Sequence, residues 1–181
     1  MVHRFLIYLL LPLCFLLSPV YSMKADEREV AEYEVKAAYL YNFAKFVEWP
    51  PEVFGGPETP LTICILGEDP FGAAMNAIKR KTFGTRKVAV KQVHDVQEAK
   101  GCQVLFISAS EEERLQQTLE ALGHAGVLTI SDMRRFVQAG GMINFIMKDD
   151  KVRFSINAAA ARRAGLKINS QLLSLAVTVM E

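Results

Sequence analysis

Histidine, cysteine and any surplus of one charge are what this chain has least of, and each shortage excludes a class of chemistry. Of three histidines, only His94 and His124 lie beyond the first 22 residues. Neither has a second His or a Cys at metal-ligand spacing, so both read as solvated turn or helix-end residues and no metal is expected. No GxSxG elbow is present, and no serine sits in a nucleophile motif. The Gly-bearing stretch GEDPFG, 67–72, lacks the Lys-Ser/Thr of a phosphate cradle and the spacing of a dinucleotide fingerprint, so Asp69 reads as a helix cap. Asp149 and Asp150 read as a turn, and Asn144 and Asn157 as local backbone hydrogen-bonders. With 21 basic and 20 acidic residues, the chain has no basic patch for nucleic acid. There is no internal repeat, no low-complexity tract, and no constellation that would make the chain an enzyme or hold a cofactor.

What is present begins with the compartment. A short polar start at His3 and Arg4 precedes an apolar run, Phe5 to Leu17, broken only by Pro12, and Val20-Tyr21-Ser22 suits a cleavage position. At about 13 residues the run is short for a membrane span, which needs roughly 20. Residues 1–22 are therefore expected to be a secretory signal peptide and 23–181 one exported, soluble domain. Arg4 is the one charged side chain lost with the leader, which leaves the mature charges balanced.

The organising stretch is 31–50, AEYEVKAAYLYNFAKFVEWP, which predicts a long amphipathic helix stopped by Pro50-Pro51. At about 100° per residue, Val30, Tyr33, Ala37, Leu40, Ala44 and Val47 make a core-facing stripe. Val35, Tyr39, Phe43 and Phe46 make a second apolar stripe on roughly the opposite side, with Glu34, Lys45 and Glu48 along one flank and Lys36 along the other. Either this chain, a second copy or a partner covers that stripe, which makes these four residues the candidate dimer or partner surface.

Beyond the helix, LTICIL (61–66) reads as a strand buried on both faces. A helix from Pro70 to Lys81, capped by Asp69, follows, then an alternating strand at 87–93 and a buried strand at 102–107. Ser110 and Glu113 read as a capping box for a helix ending near Gly123. A strand at 127–130, a short helix capped by Ser131-Asp132, a hairpin of 142–147 with 151–156, and helices at 157–164 and 170–177 complete the chain. This rhythm predicts an α/β fold: a flavodoxin-like, mostly parallel sheet of order 2-1-3-4-5, helices on both faces, and a C-terminal antiparallel edge hairpin. Cys64 and Cys102 fall on the first and third strands, which are neighbours in that order. In an oxidising compartment such a pair favours a disulfide over free thiols; two buried cysteines packed as small apolar residues are the other reading. A bond closing this loop would contribute roughly 3 to 4 kcal/mol. Fold analogy also offers a small-molecule crevice beyond the strand ends, at Gly67 to Phe71 and Ser108 to Ser110.

Taken together, EYEVKAAYLYNFAKFVEWP, ICILGEDPFG, the C-x-LFIS strand, VLTISD, GGMINF, VRFSIN and AGLKINSQLLSLA resemble the YfiR family of periplasmic regulators across the whole mature chain. The resemblance implies a soluble periplasmic protein that restrains a YfiN-type inner-membrane diguanylate cyclase through its periplasmic portion, lowering cyclic di-GMP and biofilm growth. It also implies a homodimer. The family also implies a redox-sensitive cysteine framework: Cys64 and Cys102 match one family cysteine pair, while the second pair that some members carry near the C-terminal hairpin is missing, which leaves a purely structural bridge open beside a regulatory one. The alternative function is a periplasmic small-molecule-binding sensor domain.

Overall fold

The structure, a computed structural model, describes residues 19–181, with side chains from residue 27 onward. The chain divides into two compact units, Met1–Glu32 and Tyr33–Glu181. The described part of the first is helical. The expected leader lies outside the described residues except for its last four.

In chain order the elements are α1 (Pro19–Lys45), β1 (Val47–Glu48), β2 (Leu61–Leu66), α2 (Ala74–Lys79), β3 (Thr82–Phe83), β4 (Arg86–Val93), α3 (Val96–Ala99), β5 (Val104–Ile107), α4 (Leu115–Leu122), β6 (Leu128–Ser131), β7 (Ile143–Lys148), β8 (Lys151–Asn157), α5 (Ala158–Arg163), β9 (Lys167–Ile168), α6 (Ser170–Leu175) and β10 (Thr178–Met180). The main sheet runs β10-β8-β7-β6-β5-β2-β4-β3. Strands β4, β2, β5, β6 and β7 are mutually parallel, so the expected order 2-1-3-4-5 is found. The β7–β8 hairpin is antiparallel. It is not the sheet's edge, because β10 adds in parallel outside it, Thr178 opposite Ser155.

Strands β2, β5 and β6 are buried along their whole length, because helices cover both sides of the sheet. Period-two alternation sorts their side chains. Leu61, Ile63, Ile65, Val104 and Phe106 face a core shared with α1, α2, α5 and α6. Cys64, Leu66, Leu105 and Ile107 face a second core under α3 and α4.

Several local expectations are corrected. The opening helix stops at Lys45 instead of reaching the prolines: the Trp49 indole donates to the Ala44 carbonyl at 3.1 Å, and Val47–Glu48 leaves to pair with Lys167–Ile168. Asp69 does not cap a helix at Pro70; its carboxylate accepts the Phe71 N–H at 2.8 Å, closing a turn four residues before the helix core begins. Ser110 makes no capping box, since its hydroxyl accepts the Glu68 N–H from another loop. The segment after Ser131 is a set of turns, not a helix. Asn157 does bond the local backbone, capping α5 by accepting from Ala160 N–H and donating to the Val137 carbonyl.

Candidate partner-binding surface

The C-terminal half of α1 lies against the β7–β8 hairpin, and this contact sorts the second apolar stripe. Phe43 is 1% exposed, stacked on Phe145 with ring centroids 5.7 Å apart and edge-on to Phe154 at 4.9 Å. Its ring is core and offers no surface. Tyr39 stacks on Phe43 at 5.3 Å and is partly buried, as is Phe46. Val35, one turn before Tyr39, is 45% exposed. The stripe is thus rooted in the chain's own core at Phe43 and reaches solvent on either side of it.

There it opens into a groove of about 430 Å³ between α1 and α6. Tyr39, Asn42 and Phe46 form one wall, Leu172 and Leu175 the other, with Phe43 and Phe154 at the base. Leu175 is 64% exposed and Val177 beyond it 44%. Lys45 and Arg153 complete the lining, and no acidic residue joins them. The α6 wall escapes sequence reasoning because only the tertiary fold brings it beside α1; the apolar Leu172, Leu173 and Leu175 of one short helix were its sole signal.

The loops at the carboxyl ends of β2 and β5, the expected small-molecule crevice, are tied to one another. The Ser110 hydroxyl accepts the Glu68 N–H at 2.9 Å, and a Cβ on Gly67 would sit 2.4 Å from Ser110 Oγ. Phe71 turns inward, edge-on to Tyr33 at 5.4 Å and to Phe106 at 4.7 Å. Just past β6, Asp132 accepts from Lys36 Nζ at 2.6 Å and from the Tyr33 hydroxyl at 2.9 Å. Lys36 was expected along one flank of the second apolar stripe, and it is 4% exposed. Its ammonium is held by the carboxylate and lies 4.2 Å from the Tyr33 ring centroid. The position of Lys36 beside Ala37, within the core stripe, was the signal available for this.

Cys64 and Cys102 are bonded, with Cα atoms 6.0 Å apart. The bridge joins β2 to the residues leading into β5 and is buried under α3 and α4, on the opposite face of the sheet from α1. Among the described residues no group of three or more His, Cys, Asp or Glu could hold a metal. His124 is exposed, its Nδ1 donating to the Arg163 carbonyl, and His94 is exposed in the turn before α3. Asn144 donates to the Ser131 and Phe145 carbonyls inside the sheet.

The groove and the exposed apolar side chains around it sit on a flavodoxin-like, mostly parallel sheet, which places the chain in the α/β class. Residues 33–177 match the family described as YfiR/HmsC-like (DUF4154). The chain belongs to that family, whose members are periplasmic, non-catalytic regulators of diguanylate cyclase signalling. No curated protein matches the sequence. Among solved structures, the chain is similar to a conserved domain protein from Vibrio cholerae O1 biovar El Tor, with TM-score 0.48, 10% identity, and 66% of this chain and 54% of that one covered. It is likewise similar to an ABC domain in complex with L-Trp from Streptococcus pneumonia, with TM-score 0.46, 11% identity, and 66% and 55% covered. The chain thus spans a little over half the length of each. No helix among the described residues is long and apolar enough to cross a membrane.

Proposed function

We propose that this chain is a periplasmic negative regulator that binds the periplasmic portion of a YfiN-type inner-membrane diguanylate cyclase, lowering cyclic di-GMP and with it biofilm formation. In this reading residues 1–22 are cleaved on export and 23–181 fold as one domain that forms a homodimer. Family membership supports the signalling context. The observation that supports a contact role is the apolar surface left at Val35, Tyr39, Phe46 and Leu175 on a domain that already has two filled cores. The tied loops at Gly67 and Ser110 favour this reading over a small-molecule sensor with its site at the strand ends.

The test is periplasmic cross-linking of the tagged, exported protein followed by identification of captured membrane proteins, with cyclic di-GMP measured in cells lacking or overproducing it. Capture of a membrane cyclase, with cyclic di-GMP raised on deletion and lowered on overproduction, is the expected result. Unchanged cyclic di-GMP and no captured cyclase would overturn the reading.

A further inference from the structure

We infer that the groove between α1 and α6 receives an amphipathic helix of the partner, its apolar ridge seated against Tyr39, Phe46 and Leu175 and its Asp or Glu flank meeting Lys45 and Arg153. The inference rests on the regulatory reading above and specifies where and by what chemistry the partner is held.

Three observations carry it. The first is the placement of charge. Lys45 and Arg153, like most of the described cations, form no ion pair among the described residues; what sets them apart is their place in the groove. Lys45 Nζ lies 3.4 Å from Asn42 Oδ1 and over the face of Tyr41. Both line an apolar groove without an acidic residue. Two cations in the lining of an apolar groove with no carboxylate beside them favour a partner with acidic flanks. A second copy of this chain fits poorly, because a two-fold contact would set these cations against their own kind.

The second observation is the concentration of exposed apolar side chains. Of the five large hydrophobics standing clear of the described surface, Val35 lies one turn from Tyr39 on the same helix, and Leu175 and Val177 sit at the end of α6. The third concerns shape. Tyr39 and Phe46, both partly exposed, stand two turns apart at the end of α1 with the buried Phe43 ring beneath them, a spacing that one face of a docked helix can follow. A strand has less to pair with there: the Phe154 carbonyl of β8 already accepts the Val177 N–H at 2.8 Å, and β10 covers the strand beyond it.

The experiment places the photo-crosslinking residue p-benzoylphenylalanine at position 175 of the full exported chain, and separately at position 112 near the start of α4, in cells carrying the membrane cyclase. A Leu175-position adduct to the cyclase, mapping to a periplasmic helix that bears Asp or Glu, with none from position 112, is expected. The Lys45→Glu/Arg153→Glu variant, checked for an unchanged circular dichroism spectrum and Tm, should lower that adduct at least tenfold. Reversing the mapped acidic residues to Lys should restore it. Cyclase capture in the plain pull-down without a position-175 adduct overturns the groove and leaves the regulatory reading standing. An adduct to a second copy of this chain also overturns it, making the groove a homodimer contact. No cyclase captured by any route removes the regulatory reading and this inference together.

Discussion

Phe43 of α1 meets Phe154 of β8 edge to face, ring centroids 4.9 Å apart, and so anchors the helix to the C-terminal hairpin. The residue that reads from sequence as surface is the pin holding the surface in place. Phe43→Ala should therefore cost about 3 to 5 kcal/mol of stability, as expected for an aromatic removed from a packed core. Tyr39→Ser, truncating the partly buried ring above it, should cost about 1 kcal/mol. Urea denaturation of the two single variants separates these roles. Equal losses would place Tyr39 in the core beside Phe43.

The Cys64–Cys102 bridge lies under α3 and α4, on the far side of the sheet from the groove. It closes a separation of 38 residues, so its loss should remove roughly 3 to 4 kcal/mol in the chain-entropy account. That is a fall in Tm of roughly 10 °C for a domain of this size. No free thiol should titrate in the denatured, unreduced mature protein, and two should appear on reduction. Below its lowered Tm, the Cys64→Ala/Cys102→Ala variant should still bind its partner, since neither cysteine touches the groove's walls. Partner binding lost in a folded, reduced protein would make the bond regulatory.

Asp132 holds a lysine that is 4% exposed. Replacing the carboxylate removes a 2.6 Å contact from the buried Lys36 ammonium, and Asp132→Ala should cost up to about 3 kcal/mol, the low end for a broken buried pair because Asp132 itself is partly exposed. The double variant Lys36→Met/Asp132→Leu, which removes both charges, should recover most of that loss. A thermal-melt cycle over the single and double variants reads the coupling directly. Additive effects would show that the 2.6 Å contact contributes nothing.

Periodicity made the sheet legible. The apolar runs at 61–66 and 102–107 read as strands covered on both faces, and strand-helix alternation leaves few orders, one of which sets Cys64 beside the chain leading into β5. Caps and ends were harder to read because side chains chose distant partners over local ones. Ser110 bonds Glu68, and Lys36 turns in to Asp132. The stripe on α1 was visible as a stripe, but which of its members stays exposed depends on β7, β8 and α6. Helical spacing cannot show that Phe43 is covered while Val35 and Leu175 are not.

The loops after β2 and β5 are joined through Gly67 and Ser110, and a double-mutant cycle tests whether that junction closes the crevice. Gly67 has φ +89°, and an added Cβ would lie 2.4 Å from Ser110 Oγ and 2.9 Å from Glu111 Cγ. Gly67→Ala should therefore cost roughly 1 to 3 kcal/mol through backbone strain and crowding together. Ser110→Ala loses the bond from the Glu68 N–H, which is solvent-accessible, and should cost under about 1 kcal/mol. With the hydroxyl gone the nearest clash disappears, so the double variant should be more stable than the sum of the two losses predicts. Chemical denaturation of the four proteins supplies the comparison. Strict additivity would mean that the loops stand apart in solution, and a ligand site between them would return as the leading alternative to partner binding.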